Sequence, residues 1–166
     1  LNGSHASLVV SINDVFYVTD VGFGDLPLHA IPITSSEHTQ PITDISGTFR
    51  AIFNNEDKDI FYVQKFENDN WHTKYEAEFK AKCIADFDKN IEYNQTHPDS
   101  IFVQHLLITM PQSFGRATMS ENHLTLTKDG TPEKLAITKD NYQQFLKTFF
   151  GLDVTINRIE NSESQS

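Results

Sequence analysis

The sequence predicts a mixed α+β protein, with antiparallel strands in its first half and both strands and helices in its second. The chain has 166 residues, and its 13 Phe, 5 Tyr and one Trp supply enough large apolar side chains for one compact domain or two small layers. Apolar residues alternate in β-branched runs early in the chain, whereas the three- and four-residue spacing typical of helices begins only near Cys83. We therefore expect a β domain over residues 1–82, an α/β domain over residues 83–158 and a disordered tail over residues 159–166.

The first element is a hairpin formed by residues 6–12 and 15–21. Asn13 and Asp14 suit a two-residue turn, which fixes a register in which His5 faces Gly22. Asp20 lies two residues along on the same face, so His5 and Asp20 are diagonal neighbours about 7–8 Å apart in backbone, a gap that their side chains can close to a hydrogen bond. The same register places Ser7, Val9, Ser11, Phe16 and Val18 on the face of this pair, and Ala6, Leu8, Val10, Ile12, Val15, Tyr17 and Val21 on the opposite, largely apolar face.

A long irregular connection is expected after the hairpin. It begins at residues 22–25 and contains Pro27, Pro32 and Pro41 among many Ser and Thr residues, a composition typical of loops. A loop of about twenty residues in a compact domain is usually functional. Three strands are predicted after it, over residues 47–53, 59–66 and 71–79.

The second half begins with a short amphipathic helix, because Ile84, Phe87 and Ile91 recur at helical spacing before the break at Pro98. Cys83 is expected to be a buried thiol on this helix, since a free Cys is usually a core residue. The later part of residues 101–110 is expected to form a strand that ends at Pro111. Further predictions are strands over residues 116–119, 123–127 and 134–137, a helix over residues 142–150 ended by Gly151, and a final strand over residues 152–156.

Composition excludes several classes of partner. The formal charge is −10, and no cluster of Lys or Arg is available to neutralise phosphates or to attract an acidic membrane, so neither nucleic acid nor membrane is expected as a partner. A single cysteine excludes an internal disulfide and a Cys-rich zinc site, and it is consistent with a reducing cytoplasm. The other histidines lack the spacing of a zinc site, and no metal is expected.

The predicted His5–Asp20 pair is the arrangement in the sequence that is suited to catalysis. A carboxylate bound to one ring nitrogen fixes the imidazole tautomer and stabilises its cation, which leaves the other nitrogen free as a general base or as the partner of a thiolate. These are two of the three members of a nucleophilic triad. On spacing alone, an ordinary surface pair is the stronger interpretation.

The surrounding sequence favours catalysis. The block Asp20-Val21-Gly22-Phe23-Gly24, with Ser4-His5 upstream, resembles the arylamine N-acetyltransferase family, and the resemblance extends to about residue 156. It implies a cysteine-proteinase-like fold in which a β-barrel-like domain precedes an α/β lid. It also implies transfer of an acetyl group from acetyl-CoA to an arylamine or hydrazine through an acetyl-cysteine. The other matching residues are Pro32, Ile33, Gln40, Gly47, Phe49, Trp71, Tyr75, Phe79, Asp86, Phe87, Asn90, Tyr93, Thr96, Pro98, Ser100, Phe102, Gly115, Arg116, Phe149, Gly151 and Leu152.

The resemblance assigns roles to individual residues. His5 and Asp20 are implied to be the catalytic His and Asp. The implied residues of the acceptor pocket are Phe23, Gly22 and Gly24, and those of the acetyl-CoA site are Asn2, Gly3 and Thr109.

The nucleophilic cysteine of the family precedes the triad His, in a helical domain with an Arg-Gly-Gly-x-Cys motif. This motif is absent from the chain, and Cys83 has different neighbours and follows both partners. The chain, which begins at Leu1, therefore resembles the second and third domains, and we expect a missing N-terminal helical domain as its partner and no acetyl transfer by these 166 residues alone. Two alternatives stay open: a non-catalytic binding or structural module of the same fold, and a related thiol-dependent acyltransferase with another amine acceptor.

Overall fold

The computed structural model describes residues 5–161 and divides the chain into two compact units. The division lies between Ile91 and Glu92, inside a helix, whereas the boundary expected from the sequence lies between residues 82 and 83. Both units combine sheets with short helices, so the mixed α+β class is confirmed. Among the described residues, no helix combines the length and apolar character that crossing a bilayer requires.

The first unit is built on one seven-stranded sheet. Its main path runs β1-β2-β3-β5-β6-β7, with β4 paired to β5, and all pairs are antiparallel except β3 with β5. In the described part of the chain β1 and β7 end this path without pairing to each other, so a closed barrel is not formed. The strands are β1 (Leu8–Ile12), β2 (Val15–Thr19), β3 (Ile31–Thr34), β4 (Ile42–Asp44), β5 (Gly47–Phe53), β6 (Ile60–Glu67) and β7 (Asn70–Glu78).

The β1–β2 hairpin has the predicted register. Ile12 pairs with Val15 and Leu8 with Thr19, across a two-residue turn in which Asn13 and Asp14 have φ values of 50° and 63°. Asn and Asp tolerate this left-handed conformation better than most residues, and its twist matches that of the flanking strands. The local sequence therefore determines which side chains share a face.

The face of the hairpin that carries His5 and Asp20 is the one that turns toward the core. Val18 on this face is buried, and the ring of Phe16 packs edge-on against Phe79 at 4.9 Å. The more apolar opposite face is exposed, with Leu8 at 67% of its full exposure. The buried core of the unit is completed by Leu26, Ile31, Ile33, Phe49, Ala51, Phe61 and Val63.

The connection between residues 22 and 46 is more ordered than its prolines suggest. It contains β3, which joins β2 to β5, and β4. Pro32 stands opposite Tyr17 in β3, and Ile31 and Ile33 on either side of it are buried. Burial of these two side chains therefore outweighs the hydrogen bond that a proline cannot donate.

The segment after β7 departs from its prediction. Ile84–Phe87 form a single 3₁₀ turn, followed by α1 (Asp88–Thr96), and neither buries a residue. Cys83 is exposed at the start of the turn, where its N–H donates to the Asp86 carboxylate at 2.7 Å. The prediction of a buried thiol is therefore wrong, because Cys83 caps a solvent-facing turn instead of packing under a sheet.

The second unit contains a four-stranded antiparallel sheet in the order β11-β10-β9-β8. Pro111 lies within β8 and does not end it, because β8 is an edge strand where a missing N–H costs little. Gly115 at the start of β9 has φ 134°, and a Cβ there would lie 2.2 Å from the carbonyl oxygen of Thr127, so only glycine fits. The strands are β8 (Ile108–Gln112), β9 (Gly115–Met119), β10 (His123–Lys128) and β11 (Thr131–Ala136).

The helices of this unit are short. They are α2 (Ile101–Gln104), α3 (Tyr142–Phe145), which continues as a π-helical turn over Leu146–Phe150, and α4 (Asn157–Glu160). As predicted, the helix after residue 142 ends at Gly151, in the left-handed conformation at φ 65°. The core is formed by Ala117, Met119, Leu124, Leu126, Tyr142, Leu146, Phe150 and Ile159.

The end of the described chain corrects two predictions. Residues 152–156 form no strand. Helix α4 follows them, so the prediction that a disordered tail begins at residue 159 is wrong. Ile159 is buried, Tyr142 donates to the Glu160 carboxylate, and Arg158 donates to the carbonyl oxygens of Val103 and Gln104. Packing inside the unit orders a segment whose composition alone suggests disorder.

Candidate active site

His5 and Asp20 meet at the open end of the β1–β2 hairpin. His5 lies three residues before β1 begins at Leu8, and Asp20 directly follows Thr19, the last residue of β2. His5 Nε2 lies 2.5 Å from Asp20 Oδ2, which confirms the predicted contact. An ionised carboxylate only accepts hydrogen bonds, so Nε2 carries the proton and Nδ1 is the ring nitrogen left for another partner.

The backbone after β2 fixes the other oxygen of Asp20. The N–H groups of Gly22 and Phe23 donate to Oδ1 at 2.9 and 3.0 Å, and the chain bends tightly around the carboxylate. Burial acts to raise the pKa of Asp20, but the hydrogen bonds from His5, Phe23 and Gly22 outweigh it and hold the pKa below its ordinary value of 3.8. Asp20 is therefore an anion at neutral pH, with Oδ1 bound by two backbone N–H groups and Oδ2 by His5.

Two aromatic rings form the wall around the imidazole. Phe23 meets the His5 ring edge-on at 5.5 Å between centroids, Tyr75 lies at 5.8 Å from it, and the two aromatic rings are 5.4 Å apart. The side chain of Asp20 is 3% exposed, whereas that of His5 is 32% exposed. The carboxylate is thus shielded from water while the imidazole keeps an accessible edge.

Gly22 allows the chain to pass close to the imidazole. A Cβ at this position would lie 3.3 Å from His5 Cε1, so the ring would have to move by a few tenths of an ångström, and 3.8 Å from Asp20 Oδ1, which is an ordinary contact. The absence of a side chain at Gly22 therefore allows the close approach, and its φ lies outside the left-handed range. Gly24 belongs to the turn that follows. Of the residues predicted to line the acceptor pocket, Phe23 and Gly22 therefore lie against His5.

Tyr75 was predicted only as a matching family residue and not as part of the site. It lies on β7, and a register shift between Val63 and Gln64 interrupts the pairing of β6 with β7. Simple alternation along the strand therefore does not show which way Tyr75 faces. Its pKa is raised, first by burial and then by the charge of Asp20.

Of the three residues predicted for the acetyl-CoA site, the structure describes Thr109. Asn2 and Gly3 lie outside the described residues. Thr109 lies on β8 in the second unit, where its hydroxyl is hydrogen-bonded to that of Thr118 at 3.1 Å. Within residues 5–161, no group of three His, Cys, Asp or Glu side chains is arranged to hold a metal ion.

Comparisons with known proteins agree with this fold. The family described as N-acetyltransferase matches residues 1–159. An uncharacterized acetyltransferase of Bacillus subtilis, YvcN, is 27% identical over 152 residues, which are 90% of this chain and 58% of that protein. The chain therefore spans less than two thirds of its relative.

Solved structures show the same fold. An arylamine N-acetyltransferase of Bacillus cereus with a Cys-His-Glu catalytic triad superimposes with a TM-score of 0.73 at 22% identity, over 91% of this chain and 58% of that one. The Mycobacterium marinum enzyme in complex with CoA gives a TM-score of 0.74 at 22% identity, over 95% of this chain and 59% of that one. With the family match over nearly its whole length, the chain belongs to the arylamine N-acetyltransferase family.

Proposed function

We propose that this chain is the part of an arylamine N-acetyltransferase that carries the catalytic His5 and Asp20, and that the whole protein transfers an acetyl group from acetyl-CoA to an arylamine or hydrazine. The observation that carries the proposal is the 2.5 Å contact between His5 Nε2 and Asp20 Oδ2 in a site shielded by Phe23 and Tyr75. The B. cereus relative with a Cys-His-Glu triad supports it, because there too a His works with a carboxylate.

The geometry supports a specific role for His5 in the proposed reaction. With Nε2–H held by Asp20, the lone pair of Nδ1 takes the proton of a cysteine thiol, and the thiolate attacks the carbonyl carbon of acetyl-CoA. The C–S bond to CoA breaks, the acetyl group is left on the cysteine, and CoA leaves as a thiol with the proton from the imidazolium. The amine then attacks the acetyl-cysteine, His5 accepts its proton and returns it to the departing cysteine sulfur, and an amide is released.

The substrates are assigned to residues by the same proposal. Phe23, Gly22 and Gly24 would line the acceptor pocket, because Phe23 and Gly22 already border the imidazole. Asn2, Gly3 and Thr109 would contact acetyl-CoA, and the CoA complex of the M. marinum relative supports this co-substrate. We propose that the reaction uses no metal.

The nucleophile is proposed to come from an N-terminal helical domain outside these 166 residues. The cysteine within them, Cys83, is exposed and caps the 3₁₀ turn, where its backbone N–H donates to Asp86, and within residues 5–161 it makes no hydrogen bond to His5 or Asp20. We therefore expect no activity from the 166-residue chain alone, and no change in the whole protein when Cys83→Ala is made. An exposed free thiol also fits a reducing compartment, and we propose a cytoplasmic location.

The test is acetylation of a panel of arylamines and hydrazines by the full-length protein, with acetyl-CoA as donor. His5→Gln should lower kcat/KM by about 10³-fold or more, since the general base is lost. The matched control is His29→Gln, because the exposed His29 also lies beside an aspartate, and its activity should stay within about twofold of wild type.

The result also separates the open alternatives. An acetyl-enzyme detected by mass spectrometry, without transfer to any arylamine or hydrazine, would indicate a thiol-dependent acyltransferase with another amine acceptor. Absence of both the acetyl-enzyme and the product would contradict the enzyme and favour a binding or structural module.

A further inference from the structure

Asp25 ties the loop that follows Asp20 to two neighbouring strands. Its Oδ1 accepts from Lys65 Nζ on β6 at 2.8 Å, and its Oδ2 accepts from Lys74 Nζ on β7 at 2.6 Å. The lysine side chains are 15% and 21% exposed, whereas that of Asp25 is 44% exposed. Two charges that are largely withdrawn from water therefore share one carboxylate, and the three groups form a network instead of an isolated surface pair.

The charges of this network are fixed at neutral pH. Burial acts to raise the pKa of Asp25, but the hydrogen bonds and charges of Lys65 and Lys74 outweigh it and hold the pKa below its ordinary value of 3.8. Lys65 Nζ also lies 3.3 Å from Glu67 Oε1, so this lysine has a second acidic neighbour. Without the Asp25 carboxylate, two ammonium groups that it now holds together would repel each other.

A bulge in β7 places Lys74 for this contact. The pairing with β6 passes from Thr73 directly to Tyr75, so Lys74 is the extra residue of the bulge. In a regular strand Lys74 and Tyr75 would point to opposite faces of the sheet. Here both contact the same loop: the Tyr75 ring lies 5.4 Å from that of Phe23, and Lys74 binds Asp25. Bulges beside active sites commonly redirect a side chain in this way.

The segment between Asp20 and Asp25 needs such contacts. It carries Phe23 with a glycine on either side, and glycine leaves the backbone conformationally free. Contacts at the two ends of the segment therefore have to hold the ring. Asp20 provides them at one end, by accepting two backbone N–H groups. The two lysines provide them at the other end, because they bind Asp25 from β6 and β7.

We propose that Asp25 and its two lysines form an ionic clamp that positions the ring of Phe23 and thereby favours aromatic acceptors. Asp25 is then a positioning residue that acts through Phe23. The clamp acts on the second half of the reaction, in which the ring of an arylamine packs on Phe23, and leaves the transfer of acetyl from acetyl-CoA to the enzyme unaffected. This selectivity rests on the proposed function, whereas the hold of the clamp on the loop does not.

The first measurement is independent of activity. In the full-length protein, hydrogen exchange at the N–H groups of Gly22 and Phe23 reports how firmly the loop is held, because both donate to the carboxylate that precedes them. Asp25→Asn should speed their exchange about tenfold. The N–H of Glu56, which is held by a side-chain oxygen in a similar turn, should exchange at an unchanged rate.

The second measurement separates the two halves of the reaction. Asp25→Asn should lower kcat/KM for an arylamine about tenfold, mainly through KM, because the ring that contacts the acceptor is no longer held in place. The rate at which acetyl-CoA acetylates the enzyme should stay within about twofold of wild type. For hydrazine itself, which has no ring to pack on Phe23, the loss should also be at most about twofold.

Substitutions at Lys74 test the clamp from its other side. Lys74→Met should lower kcat/KM for the arylamine about threefold, since Lys65 still holds Asp25, and Lys74→Arg, which keeps the charge, should restore most of it. The same hydrogen exchange is measured in both variants, which answers the question even if Asp25→Asn does not fold. Glu133→Gln is the matched control, because it removes an acid paired with Lys128 at 3.0 Å in the second unit, and it should change neither readout.

The outcomes are distinct. Unchanged exchange at Gly22 and Phe23 in folded Asp25→Asn and Lys74→Met would overturn the clamp. Equal losses for the arylamine and for hydrazine, or slower acetylation of the enzyme by acetyl-CoA, would overturn its role in acceptor selection. If the wild-type protein transfers no acetyl group, the proposed function fails, while hydrogen exchange still decides whether the clamp holds the loop.

Discussion

The first unit contains two His–Asp pairs of the same sequence spacing, and only one has the geometry of a catalytic pair. His5 and Asp20 are fifteen residues apart, as are His29 and Asp44, but the nitrogen-to-oxygen distances are 2.5 and 3.4 Å. Both aspartates are buried, with side chains 3% and 6% exposed. Distance along the chain and burial of the acid therefore do not distinguish the two pairs.

The difference lies in how the backbone uses each carboxylate. In Asp20 both backbone donors go to Oδ1, which leaves Oδ2 for the imidazole. In Asp44 the backbone takes both oxygens, Leu28 N–H at Oδ2 and Ser46 N–H at Oδ1. His29 then meets an oxygen already engaged at 2.6 Å, so Asp44 acts mainly as a clamp on the chain.

Substitution of each aspartate tests this comparison, and the largest effect is expected here. Asp20→Asn should lower the rate of acetyl transfer by about 10²–10⁴-fold with little change in folding, because the amide no longer holds the required His5 tautomer. Asp44→Ala should leave the rate within about twofold but lower the free energy of unfolding by about 1–3 kcal/mol, because two backbone N–H groups lose their acceptor.

Steady-state kinetics and urea unfolding of the full-length protein measure these two quantities. The comparison fails if Asp20→Asn transfers acetyl at the wild-type rate, or if Asp44→Ala lowers that rate without lowering the free energy of unfolding.

A methyl group at Gly22 tests the closeness of the chain to His5. Gly22→Ala should lower kcat/KM about tenfold, since the added Cβ at 3.3 Å from Cε1 turns the ring away from its working position. The neighbouring Val21→Ala, at a fully exposed side chain, is the control and should have no effect. An unchanged rate in Gly22→Ala, with the protein folded, would show that the ring position is not critical.

The smallest expected effect is on acid stability. The folded-state pKa of Asp20 is below its ordinary value of 3.8, so its contribution to stability is present above about pH 4 and is lost as the pH falls through the folded-state value. Asp20→Asn should therefore lower the free energy of unfolding more at pH 7 than at pH 3. The free energy of unfolding of both proteins at each pH measures this, and an equal cost at both would contradict it.

Local patterns in the sequence predict the first hairpin and its pair, but not everything that surrounds them. Asn13-Asp14 determines the register and hence the contact of His5 with Asp20. Tyr75 arrives from β7, whose pairing with β6 is shifted by a bulge, so its approach depends on the assembled sheet. The roles of Thr109, Asn2 and Gly3 stay predictions, since they rest on resemblance alone.

Other misses have the same kind of cause. The strand around Pro32 forms because β2 and β5 pair with it, and Ile31 and Ile33 beside the proline are buried. The local composition does not show these contacts. Cys83 is exposed although cysteines are usually buried, because the turn that it caps has no core to face. In each case contacts between distant segments decide what the local sequence leaves open.

The anchoring of α4 has a practical consequence for shortened versions of the protein. A chain cut at residue 156, where the family resemblance seen in the sequence ends, would lose Ile159 from the core of the second unit and the Glu160 acceptor of the buried Tyr142 hydroxyl. It would also lose Arg158, which satisfies two carbonyl groups at the end of α2. For expression or crystallisation, the C-terminal boundary therefore belongs beyond Asn161, whose N–H closes the last turn on Asn157.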